Sequence, residues 1–215
     1  MNAPLKNATH LFELPGRRYH SSESWWTSFF CMLLLYHSRM DSQWTLPTYT
    51  CHDGYPATDQ PFAPGRLGAA DLIVEAPLSE NPFRLPSWPV EFLQLKPDVC
   101  ILRNKLRAAT FIEVKTIGAS IAKNHTRYLK ARDHLRQLSW SAEFFYLLSH
   151  GHECLGDWPL IEHDQVRVML WEDVLRAAIG TPFGELFDDA LADYATRPSE
   201  QPYQPLQRAA EKRGG

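Results

Sequence analysis

The sequence predicts an α/β fold in which a mixed central sheet is flanked by helices. Short apolar runs of strand length recur at residues 70–75, 99–102, 110–112, 144–148 and 166–170. Segments of helical character and greater length occupy residues 21–40 and 124–140. Hydrophobic residues make up 44% of the 215, enough for one sizeable core with an appendage.

Taken in order, residues 1–20 read as an irregular arm that ends after Arg17-Arg18. Ser21 or Ser22 caps a helix to about Met40, with Glu23 in its first turn. The apolar run 25–36 is broken by Thr27 and Ser28. It falls short of the roughly 20 residues that cross a bilayer, so a buried core helix is expected and no membrane association. Residues 41–68, rich in Pro, Gly, Thr and Asp, hold strand character at 43–50 and then a long loop. A strand at 70–75 and a proline-rich loop at 76–89 follow, and alternation over 90–95 predicts one more strand. Residues 103–107 form a polar turn between the strands 99–102 and 110–112. Residues 116–123 are a linker, and in the helix 124–140 Tyr128, Leu135 and Leu138 fall at apolar spacings. Residues 144–148 are a strand, 150–162 a loop, 166–170 the last strand and 171–178 a short helix. Residues 182–194 read as an acidic amphipathic helix, and 198–215 as a disordered tail. The domain therefore spans residues 21–180, between an arm at 1–20 and an acidic helix and tail at 181–215.

Several chemistries are set aside. Residues 1–15 lack the apolar stretch of a signal peptide. Cys31, Cys51, Cys100 and Cys154 are scattered without a C-x-x-C pair, which points to a cytoplasmic protein without disulfides and without a Cys-ligated iron–sulfur cluster. His150, His152, Cys154 and His163 match no structural zinc spacing. There is no glycine-rich phosphate loop and no G-x-S-x-G.

One constellation carries chemistry. Asp98 follows Pro97 at the head of one predicted strand, and Glu113-Val114-Lys115 closes the next. A hairpin between them brings Asp98 and Glu113 together. Side chains on a strand alternate, so Glu113 and Lys115 share a face while Val114 points into the core. Two carboxylates are oxygen ligands suited to Mg2+ or Mn2+. Such an ion acidifies a bound water and neutralises phosphate charge, and a lysine beside it orients the water or stabilises developing negative charge.

Pro97-Asp98 with Glu113-x-Lys115 resembles the PD-(D/E)XK nuclease superfamily, whose core runs helix, three strands, helix, strand. Residues 21–151 can be read in that order. The resemblance implies a restriction-endonuclease-like sheet and a metal-dependent DNA endonuclease. Asp98, Glu113 and the Val114 carbonyl would hold the metal, and Lys115 would assist the attacking water. Several branches add a glutamate from the first helix, and His20-Ser21-Ser22-Glu23 is similar to the start of that helix in the endonuclease subunit of heteromeric transposases. Glu23 is thus a candidate third carboxylate, with Asp71, Glu75 and Glu91 as weaker ones. A Gln-x-x-x-Tyr signature of exonuclease-like members is incomplete, because Ser141 follows Gln137 at the tyrosine position.

Charge supports a polyanionic partner. Residues 96–136 hold ten Lys/Arg and three Asp/Glu, a net of +7 in a chain whose total is −3. Arg103, Lys105, Arg107, Lys123, Arg127, Lys130 and Arg132 are the candidate phosphate contacts. The expected partner is DNA. A partner protein of a transposition or defence complex, docking on the acidic helix, and a homodimer that cuts two strands are further expectations. Alternatives are a structure-specific nuclease or resolvase, and a non-catalytic nucleic-acid-binding assembly subunit with the same fold.

Overall fold

The computed structural model describes residues 23–52, 55–80, 88–115, 122–148 and 158–184. The expected arm, the linker at 116–121, the loop at 149–157, and residues 185–215 of the acidic helix and tail lie outside the described residues. The fold is α/β, with one seven-stranded mixed sheet between helices.

The elements run α1 (Glu23–Met40), β1 (Tyr49–His52), β2 (Tyr55–Thr58), β3 (Leu72–Val74), α2 (Val90–Leu93), β4 (Val99–Arg103), β5 (Ala108–Lys115), α3 (Ala122–Gln137), β6 (Ser141–Leu148), α4 (Trp158–His163), β7 (Arg167–Leu170) and α5 (Trp171–Ala178). The strand order is β2-β1-β7-β6-β5-β4-β3. β3, β4 and β5 form an antiparallel meander, β6 and β7 continue it in parallel with β5, and β1 and β2 close it antiparallel.

The central strands read as unbroken apolar runs because both of their faces are buried. Cys100, Leu102, Phe111, Phe144 and Leu148 pack on one face with Tyr128, Ala131 and Leu135 of α3. Val99, Ile101, Ile112, Val114, Phe145 and Met169 pack on the other face with Trp26, Phe29, Phe30 and Leu33 of α1 and with Trp171 and Val174 of α5. The period of two thus sorts one sequence into two cores.

Four sequence expectations change. Residues 90–95 are not a strand: Pro89 leads into one helical turn, which buries Phe92 and leaves Val90 exposed. The strand expected over 43–50 reduces to one bridge, Leu46 with Phe62, and the later strand β1. Residues 158–162 of the predicted loop belong to helix α4, where Pro159 sits in the first turn, a position that needs no N–H donor. The strand expected at 70–75 shortens to Leu72–Val74, after a helical turn at Ala69–Asp71.

Trp171 joins β7 to α5 and packs against Trp26 with ring centroids 4.2 Å apart. It is fully buried. Trp171→Ala is expected to lower the unfolding free energy by about 3–5 kcal/mol, measured by urea denaturation followed by fluorescence.

Candidate active site

β4 and β5 are paired from Arg103↔Ala108 to Val99↔Ile112. Beyond Ile112 the ladder ends, and a side chain replaces it: the Val114 amide donates to Asp98 Oδ2 at 2.8 Å. In antiparallel pairing the N–H and C=O of one residue lie on the same side of the strand. The Val114 carbonyl is therefore on the Asp98 side as well. Asp98 precedes β4 and Glu113 and Lys115 end β5, so all three meet at one end of the sheet.

Glu113 is 2% exposed. A carboxylate this buried requires compensation. Lys115 Nζ lies 3.0 Å from Glu113 Oε2, and Tyr128 of α3, packed on Phe111 of the same strand, faces the same carboxylate. Burial first, then the charges of Glu113 and Asp98, push the Tyr128 phenol well above its usual range, which keeps it a donor. Tyr128 reads in the sequence as one apolar helix position. The signal that reveals more is chemical: a buried tyrosine needs a partner for its hydroxyl.

Asp98 also binds the neighbouring strand. Its carbonyl accepts from the Glu75 amide at 3.1 Å, and Glu75 adopts a left-handed φ of 48°. The Cys31 thiol of α1 is pushed up to about 12 by burial, then by Glu75 and by Asp98. Among the weaker acids, Glu75 alone sits at this end. Asp71 accepts from the Gly68 amide in the turn before β3, near Arg103, and Glu91 is exposed on α2. Glu23 is the first residue of α1, and its side chain lies outside the described part of the structure.

The basic residues divide. Arg103, Lys105 and Arg107 surround the turn at the opposite end of the β4–β5 hairpin, about 17 Å along the strand from Glu113. The Arg103 guanidinium is also engaged by the Arg66 carbonyl, and burial lowers its pKa. Lys123, whose side chain is not described, and Arg127 lie on the half of α3 nearer the site, and Lys130 lies at its middle; Arg127 and Lys130 are exposed. Arg132 pairs with Asp133. The hairpin end therefore separates from the acids, whereas early α3 does not.

Among the described residues no group of three or more His, Cys, Asp and Glu is arranged to hold a metal ion. Two carboxylates and one carbonyl remain, all oxygen. That donor set fits Mg2+, which keeps several waters and completes its shell with substrate phosphate. The arrangement joins a hard-cation donor set to a cation, Lys115, at the edge of a buried site.

No protein-family model, curated protein or solved structure matches the chain. No described helix is long and apolar enough to cross a membrane. Cys31 and Cys100 are free and buried.

Two outcomes follow. Tyr128→Phe is expected to lower the unfolding free energy by about 1.5 kcal/mol, measured by urea denaturation, because Glu113 loses the hydroxyl that faces it. Raising the Cys31 pKa removes thiolate at any pH below it. Peptide mapping after iodoacetamide at pH 8 is expected to find Cys31 unlabelled in folded protein and labelled in urea.

Proposed function

We propose that the chain is a metal-dependent DNA endonuclease of the PD-(D/E)XK type. The observation that carries the reading is the Val114 amide bonded to Asp98 Oδ2, which ties the two arms of the motif into one site. The order of elements supports it. A helix, a three-stranded antiparallel meander, a helix and a strand parallel to the third is the restriction-endonuclease-like arrangement that the sequence resemblance implies.

In this reading Asp98, Glu113 and the Val114 carbonyl hold the ion, with Glu23 as a candidate addition. Bound Mg2+ or Mn2+ supplies an acidified water and neutralises phosphate charge. Lys115, anchored on Glu113, orients the attacking water and stabilises the charge that develops on phosphorus oxygens. Tyr128 holds the Glu113 carboxylate from α3. Arg127 and Lys130 contact the DNA backbone without reading sequence. A partner protein of a transposition or defence complex, or a second copy, would supply the choice of target. A cytoplasmic location suits such a task.

Supercoiled plasmid with Mg2+ is expected to be nicked or linearised. Asp98→Ala and Lys115→Ala are each expected to slow cleavage at least about 10²-fold. Cleavage that survives both substitutions would refute the assignment. DNA binding without cleavage by the wild type would favour the non-catalytic assembly subunit. Arg127→Ala and Lys130→Ala are each expected to weaken binding and to reduce the salt slope by about 1, read by anisotropy across a salt series. Arg103→Ala is expected to leave that slope unchanged.

A further inference from the structure

Beside the candidate site lies a second polar cluster in the α3 core, with a different composition. His125, one turn before Tyr128 on α3, is 2% exposed. Both of its ring nitrogens are engaged. Nε2 lies 2.7 Å from Asp164 Oδ2, and Nδ1 lies 2.8 Å from the Tyr146 hydroxyl. A carboxylate only accepts, so Nε2 donates to Asp164 and Nδ1 faces the Tyr146 hydroxyl. The imidazole also stacks on the Tyr146 ring, with planes 6° apart. Asp164 lies in the turn between α4 and β7, with its side chain partly exposed.

Tyr146 is not remote from the acids. It is the registered partner of Glu113 across the parallel β5–β6 pair, on the face that α3 covers. Residues three apart on a helix share one face. Consecutive turns of α3 therefore face adjacent strands: Tyr128 packs on β5 beside Glu113, and His125 bonds Tyr146 on β6. Apolar packing alone tolerates small shifts of a helix over a sheet more readily than directional hydrogen bonds do. A buried imidazole with two fixed partners permits one arrangement.

We propose that Asp164, His125 and Tyr146 are positioning residues that act through α3 to hold Tyr128 on the Glu113 carboxylate. Asp164 fixes the ring of His125, the ring fixes α3 over Tyr146, and the fixed helix sets the Tyr128 hydroxyl. The catalytic consequence rests on the nuclease reading, whereas the positioning itself does not. Residues that orient ligand side chains from outside the immediate site typically matter about 10–100-fold when removed.

The test compares Tyr146→Phe, Asp164→Ala and Asp164→Asn in the full chain. The carboxyl 13C resonance of Glu113, assigned by its loss in Glu113→Gln, reports the Tyr128 contact without any need for activity. It is expected to shift in Tyr146→Phe and Asp164→Ala and to stay within the wild-type position in Asp164→Asn, which keeps an acceptor for Nε2. In plasmid cleavage the first two variants are expected to lower kcat about tenfold with KM for DNA within about twofold, and Asp164→Asn to retain activity. An unmoved Glu113 resonance in folded Tyr146→Phe and Asp164→Ala overturns the proposal, even if their unfolding midpoints fall. Loss of the wild-type resonance position in Asp164→Asn also overturns it, because charge rather than geometry would then matter. Absence of wild-type cleavage would fail the nuclease reading alone, and the carboxyl resonance would still decide the positioning.

Discussion

The site depends on one hydrogen bond between a side chain and a strand. β4 and β5 stop pairing at Val99 and Ile112, and the Asp98 carboxylate takes the next amide, that of Val114. An unpaired backbone amide in an interior costs free energy, so the aspartate stabilises the strand end that carries Glu113 and Lys115. A charged acceptor makes the bond stronger than an ordinary ladder bond. Structure and chemistry therefore draw on the same carboxylate: one oxygen holds the strand, and the site lies at its side.

The second constraint is a buried negative charge. Glu113 sits almost fully out of water, and Lys115 and Tyr128 compensate it from two directions. A buried ion pair is weak evidence for stability, since desolvation opposes the Coulomb gain. A carboxylate held at the end of a strand, with a lysine two residues on, costs stability and offers a place for a hard cation. The left-handed Glu75, hydrogen-bonded to the Asp98 carbonyl, is a second local cost at the same end of the sheet.

Much of this was legible in the sequence where the period of two was strong. β4, β5, β6, β7 and the helix that follows β7 lie within a few residues of their expected positions, because runs such as Val99-Cys100-Ile101-Leu102 have no other buried solution. The meeting of Asp98 with Glu113 and Lys115 followed from the same hairpin. The alternation over residues 90–95 misled, because a helical turn after Pro89 buries Phe92 and Leu95 equally well. The spread of positive charge also misled. Sequence proximity put Arg103, Lys105 and Arg107 beside the motif, whereas a hairpin sends its turn to the far end of its strands. Tyr128 and His125 were hidden for a further reason. Their roles come from partners 15 and 39 residues away, Glu113 and Asp164, which only the packing of α3 on the sheet brings near.

The most direct test of the central claim is crystallographic: anomalous scattering from a crystal soaked with Mn2+. The account predicts a peak bounded by the Asp98 carboxylate, the Glu113 carboxylate and the Val114 carbonyl, with oxygen distances of about 2.0–2.3 Å. Mn2+ bound elsewhere in the protein, with that end of the sheet empty, would contradict it.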